Sequence, residues 1–159
     1  MGKLFAIVVA IGLLIGFLIP GGERAPAETV AVATGERKVV LTRGSTGHFF
    51  TEAKVNGKPG VRFIVDTGAS TVALSVEDAV RIGIKVEPSR FEIIGEGASG
   101  PVRGHPIRIE SIDIDGIRAE NVRGVVLEGS NLSLLGQSFL ASVDQVSISG
   151  EYLSLRDSG

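Results

Sequence analysis

Few side chains in this sequence are available for chemistry. There is no cysteine, which removes thiol nucleophiles, thiolate metal sites, disulfides and lipid-modified cysteines together. The two histidines, His48 and His105, stand far apart without HExxH or other ligand spacing, so no metal site is expected. That leaves the carboxylates, and one is unusually placed. In Phe63-Ile64-Val65-Asp66-Thr67-Gly68-Ala69-Ser70-Thr71 an apolar run ends in Asp66. A carboxylate closing a buried strand is costly unless it is hydrogen-bonded or paired. Gly68 offers a remedy, because a residue without a side chain lets the backbone turn tightly and bring its N–H to the carboxylate. Thr67 adds a hydroxyl able to fix the loop. Two uses fit such a group: a carboxylate that ties down its own loop, or one that takes part in proton transfer.

The elements that must position Asp66 are short. From about Glu36 onward, runs rich in Val and Ile are broken every 8 to 12 residues or so by glycine-containing turns, the pattern of an all-β barrel or sandwich. Phe49, Thr51, Ala53 and Val55 alternate with Phe50, Glu52 and Lys54. Asn56-Gly57 then supplies a hairpin turn, and the return strand Val61 to Val65 runs straight into Asp66. Two more hairpins are expected, one at Asp115-Gly116 after Ile107, Ile109, Ile112 and Ile114, the other joining Val146 and Ile148 to Tyr152, Leu153 and Leu155 across Ser149-Gly150. One helix is predicted from a Ser75 cap, with Asp78 three residues on, to Ile82 and Gly83. A second short helix is expected after Gly136. Phe63, Phe91 and Phe139 are read as core, Arg103 and Arg108 as solvated face residues, and Asp113 and Asp115 as parts of a turn. Tyr152 is given no functional role.

These residues resemble the aspartic-protease signature, hydrophobic-hydrophobic-Asp-Thr-Gly-Ala-Ser, and more narrowly the bacterial retropepsin-like proteases with an N-terminal membrane segment. Asp78-Ala79-Val80-Arg81-Ile82-Gly83-Ile84 resembles that family's Asp-Ala-x-x-x-Gly-Ile stretch. Leu134-Leu135-Gly136-Gln137-Ser138-Phe139-Leu140 resembles its Leu-Leu-Gly-x-Ser-Phe-Leu segment. Between them lies Gly95-Glu96-Gly97-Ala98-Ser99-Gly100, where such enzymes carry a flap over the cleft. Its composition fits a plain flexible hairpin loop equally well. The resemblance covers about Glu36 to Leu155 and implies a closed barrel of short strands with one or two short helices, one lobe per chain. It makes Asp66 the catalytic residue, with Thr67, Gly68, Ala69 and Ser70 supporting its loop and Leu134, Leu135 and Gly136 forming the second hydrophobic-glycine motif.

The chemistry so implied needs two carboxylates sharing one proton around a water. One removes a proton from the attacking water while the other, protonated, polarises the peptide carbonyl. Asp157-Ser158-Gly159 is a second tripeptide of the right kind, but it ends the sequence with no following strand or helix to hold a loop. About 130 residues also form one lobe rather than two. The second carboxylate is therefore expected from Asp66 of another copy, giving a homodimeric endopeptidase acting on proteins or peptides without a cofactor. The alternative is a binding or scaffold module that keeps the fold without activity. With 16 Lys plus Arg against 18 Asp plus Glu, a net charge of -2 gives no electrostatic reason to expect nucleic acid.

The first 22 residues read as an address. Leu4 to Ile19 holds no charged residue, follows Lys3 and stops at Pro20-Gly21-Gly22. Its 16 residues fall between a signal-peptide core of about 7 to 15 and a spanning helix of about 17 to 25. An uncleaved transmembrane anchor is favoured over a signal peptide cut near Ala25-Pro26-Ala27, and over a buried core helix. Gly12 and Gly16 have the spacing that lets two such helices approach. Residues 23–35 read as a linker and 36–159 as the protease domain. Lys3 before the apolar run holds that end in the cytoplasm, which places the domain of a bacterial inner-membrane protein in the periplasm, or free there if the segment is cleaved. Alkaline phosphatase joined after Gly159 is expected to be active in a bacterial host. An inactive fusion beside an active cytoplasmic reporter at the same junction would reverse the topology.

Overall fold

The computed structural model describes residues 35–97 and 100–159, so the apolar run at 4–19, most of the linker, and Ala98 and Ser99 of the candidate flap lie outside the described residues. Among those described, no helix is long and apolar enough to cross a membrane.

The Asn56-Gly57 turn forms as the sequence predicts. Both residues have positive φ, 50° and 73°, the geometry in which a two-residue turn follows the natural twist of its strands. It joins β2 (Phe50–Val55) to β3 (Lys58–Val65), and Thr51, Ala53 and Val55 point into the core as their alternation requires. Asp115-Gly116, with φ of 48° and 93°, joins β6 (Gly100–Ile114) to β7 (Ile117–Leu127) in the same way, and Asp113 Oδ1 accepts from the Gly116 N–H.

Around these hairpins six strands close into a barrel in the order β2, β3, β8 (Ser133–Leu135), β4 (Val72–Ser75), β7, β6 and back to β2. The long β6–β7 pair turns a corner. Ile109 and Ser111 are buried on one alternation and Ile112 and Ile114 on the other, while β7 shifts phase between Ala119 and Val122 through Asn121 at φ 54°. The closing seam is narrow, with Lys54 opposite Asp113 and Val55 opposite Ile112. Asn56 reinforces it. Its N–H donates to Ser111 O, and its Oδ1 accepts from the Glu110 and Ser111 N–H groups at 2.9 and 3.2 Å.

Helix α1 (Val76–Arg81) starts where Ser75 caps it, the Ser75 hydroxyl accepting from the Asp78 N–H, and Ile82 closes it one residue earlier than the sequence pattern suggests. Helix α2 (Gln137–Leu140) follows Gly136. Phe63 and Phe139 are fully buried and Phe91 nearly so. Burying such side chains stabilises the fold by about 1.5 to 3 kcal/mol each.

The hairpin joining Val146 and Ile148 to Leu153 and Leu155 was foreseen, but not the third strand beside it. β1 (Arg37–Thr42), β10 (Tyr152–Asp157) and β9 (Gln145–Ser149) form a small antiparallel sheet with β10 in the middle, and its Val39, Leu153 and Leu155 join the barrel core. The β9–β10 turn is Gly150-Glu151, one residue later than the sequence reading, because Ser149 still pairs with Tyr152. Asp157 is the last residue of β10, followed by Ser158 and Gly159. Asp157 pairs with Arg37 across the sheet, and Asp144 accepts from the Ser158 N–H.

Asn56→Ala is expected to destabilise the domain by about 1 to 2 kcal/mol in urea unfolding, since it removes an acceptor shared by two N–H groups. Asn56→Gly, which keeps the positive φ, is expected to cost less. Equal stability of Asn56→Ala and wild type would show that the seam does not depend on this side chain.

Candidate active site

Asp66 leaves β3 directly into its loop. β8 lies parallel to β3, with Ile64 opposite Leu134 and Val65 opposite Leu135, and the Asp66 N–H donates to Leu135 O at 3.1 Å. The Gly68 N–H donates to Asp66 Oδ1 at 2.9 Å, and the Ala69 N–H to Asp66 O at 3.3 Å. One carboxylate oxygen is thus held by the loop, in the way the glycine suggests. Asp66 is half-buried, while Thr67, Gly68 and Ser70 are exposed beside it.

The second hydrophobic-glycine motif is brought against this loop. A Cβ on Gly136 would lie 2.3 Å from Thr71 O and 2.8 Å from Ala69 O, so only glycine fits between loop and helix. Past it, the Gln137 N–H donates to Ala69 O and Gln137 Nε2 to Thr67 O, both at 2.8 Å. The Ser138 hydroxyl accepts from the Val72 N–H and donates to Arg123 O. Sequence reasoning had placed Gln137 and Ser138 in a motif without giving them a task. Their polarity inside the otherwise apolar Leu134–Leu140 run was the available signal.

The candidate flap is a true hairpin arm. β5 (Glu92–Gly97) pairs with the start of β6, Glu96 opposite Pro101 and Gly97 opposite Gly100. Ile93 and Ile94 on it are exposed. Arg103 is exposed, as expected of a solvated face residue, and also braces the base of the arm, donating to Phe91 O at 2.9 Å and pairing with Glu128 at 2.8 Å. Arg108 does sit at the surface, donating to Asn121 O.

A further cluster lies behind the loop. Asp78 Oδ2 accepts from the Ser133 hydroxyl at 2.6 Å, and its Oδ1 pairs with Arg81, which also donates to Gly60 O. Burial raises the Asp78 carboxyl, but hydrogen bonds from Ser133, Arg81 and Ser75 and the charge of Arg81 outweigh it and hold it below the ordinary carboxylate value. A carboxylate lowered in this way contributes stability that is complete above its unfolded value and is lost as the pH falls through the folded one.

Residues 51–142 match the family model described as "gag-polyprotein putative aspartyl protease". The chain belongs to this family. Among solved structures, the chain is similar to a retropepsin-like aspartic protease from Rickettsia conorii, at 30% identity and a TM-score of 0.63 over 77% of this chain and 91% of that one. The EIAV protease complexed with the inhibitor HBY-793 shares the fold at 20% identity, with a TM-score of 0.50 over 64% of this chain and 92% of that one. An uncharacterized protein from the cobV 5' region of a Sinorhizobium species is 36% identical over 91% of this chain, and an uncharacterized Rickettsia prowazekii protein 36% identical over 65%. The chain spans 60% and 44% of the lengths of these two curated relatives. The all-β barrel read from the sequence is the retropepsin-like fold of the family.

Gly136→Ala is expected to destabilise the domain by about 1 to 3 kcal/mol, because the added methyl meets fixed backbone rather than a flexible side chain. Urea unfolding measures it. A midpoint equal to that of wild type would show that the loop can retreat without cost.

Proposed function

We propose that the chain is a homodimeric aspartic endopeptidase in which Asp66 from each of two copies activates one water for peptide hydrolysis. The observation that carries this reading is the Asp66 loop. Its carboxylate is fixed through one oxygen by the Gly68 N–H, and its neighbours Thr67 and Gly68 are open to the surface. A single carboxylate cannot serve as base and acid together, so the partner supplies the second across a two-fold axis.

The surface around Thr67 supports pairing. Thr67, Gln137, Leu140, Val143, Val146 and Ile148 border one open groove, and Ile148, half exposed, belongs to β9, an edge strand of the small sheet among the described residues. An apolar edge of this kind is suited to a second copy. The β5–β6 arm, with exposed Ile93 and Ile94, is proposed to close over an extended peptide. Anchoring by residues 1–22, with the domain in the periplasm, would raise the local concentration of the partner and let a modest interface suffice.

Two carboxylates at such short range share one proton, and only the singly protonated pair is competent. Cleavage of a peptide mixture by the full-length chain is therefore expected to follow a bell-shaped pH profile with its maximum on the acid side of neutral. Asp66→Asn is expected to abolish cleavage while the fold survives, and excess Asp66→Asn chain to inhibit wild type through mixed dimers. A folded, dimeric Asp66→Asn protein that cleaves at the wild-type rate would overturn the mechanism.

A further inference from the structure

Behind the catalytic loop, two buried hydroxyls and a carboxylate form a closed cycle. The Ser75 N–H donates to Ser133 Oγ at 3.0 Å, the Ser133 hydroxyl to Asp78 Oδ2 at 2.6 Å, and the Asp78 N–H to Ser75 Oγ at 3.0 Å. Ser75 and Ser133 are 3% and 2% exposed, so the bond between them is shielded from competing water, and the two bonds to Asp78 are part-buried. Arg81 takes the other carboxylate oxygen and reaches on to Gly60 O at the start of β3. One charged group thereby ties together the end of β4, the first turn of α1, the beginning of β3 and the first residue of β8.

β8 is where this matters. It has three residues, and its backbone pairs with β4 at Ala73 opposite Leu134, so the other tie to β4 is the Ser75 N–H on the Ser133 side chain. Leu135 at its end receives the Asp66 N–H, and Gln137 just beyond it binds Ala69 O and Thr67 O. Its three residues pair with Phe63 to Val65 of β3, a short ladder, and the first of them, Ser133, is also the one the carboxylate holds. A slide at Ser133 is carried within four residues to every contact that Leu135 and Gln137 make with the loop.

We infer that Asp78 is a positioning residue for the hydrolytic site, acting through Ser133 to set where β8 lies and so where the Asp66 loop is held. The inference rests on the proteolytic reading above for its effect on turnover, but not for its effect on the loop. It assigns a task to the Asp-Ala-x-x-x-Gly-Ile stretch, which otherwise reads as helix and cap alone.

The test uses the full-length chain as wild type, Ser133→Ala, Asp78→Asn and the double variant, with Ser133→Ala as the milder change should Asp78→Asn fail to fold. Hydrogen exchange is followed over residues 63–71, which include the Asp66 amide, and over the remote β6–β7 hairpin at 112–119. In Ser133→Ala, exchange over 63–71 is expected to rise about tenfold while 112–119 is unchanged. On a peptide that wild type cleaves, kcat is expected to fall about tenfold or more with KM within about twofold, since the substrate-binding surface is intact and only the reacting groups are misplaced. The double variant is expected to lose no more than the worse single one, because both changes act on one bond, which Ser133→Ala removes and Asp78→Asn weakens by leaving a single uncharged acceptor for Ser133 and Arg81. Unchanged exchange over 63–71, or an equal rise in both segments, overturns the inference by leaving the cycle no role or a merely global one. Exchange needs no turnover, so a wild-type chain that cleaves nothing sinks the proteolytic reading alone.

Discussion

The approach of Gly136 to the Asp66 loop is the contact on which the rest of the structure turns. Backbone meets backbone there, with room for no side chain between Gly136 and the carbonyls of Ala69 and Thr71. That closeness lets Gln137 hold two loop carbonyls and Ser138 the Val72 N–H, and it requires β8 to run beside β3 in parallel register. Parallel neighbours cannot be joined by a tight turn. The chain therefore travels through β4, α1, the β5–β6 arm and β7 before β8 returns to its place, and the barrel is what that excursion builds.

Much of this was legible because it is local. Asn56-Gly57 and Asp115-Gly116 specify their turns by backbone preference alone, and Ser75 caps α1 with the residue three positions on. The Asp66-Thr67-Gly68 loop was readable for the same reason, since the bond from the Gly68 N–H to the carboxylate spans two residues. The alternation from Phe49 to Val55 gave the buried face of β2 without knowledge of its neighbours.

What escaped was set by partners far away in sequence. β1 reads as Arg-Lys-Val-Val-Leu-Thr, too charged and too brief to stand out, and it becomes a strand because β10 lies beside it. The Gly150-Glu151 turn was displaced by one residue, since Ser149 gains more from continuing its ladder with Tyr152 than from bending. Arg103 looked like any surface cation, and its service to Phe91 O and Glu128 depends on the β5–β6 arm folding back over it. Asp78 was visible as a helix residue, whereas its bond to Ser133 crosses 55 positions that no periodicity connects.

The pairing of β1 with β10 bears on how the protein is made. Arg37 at one end of the domain stands opposite Asp157 at the other, and between them these strands complete the floor beneath Val39, Leu153 and Leu155. Closing so long a loop is entropically demanding and comes late for a chain that emerges from its amino end. β1 leaves the ribosome well before β10, so the nascent domain has an unfinished floor until β10 emerges. A domain assembled in this order acquires its floor only once β10 has emerged to meet β1.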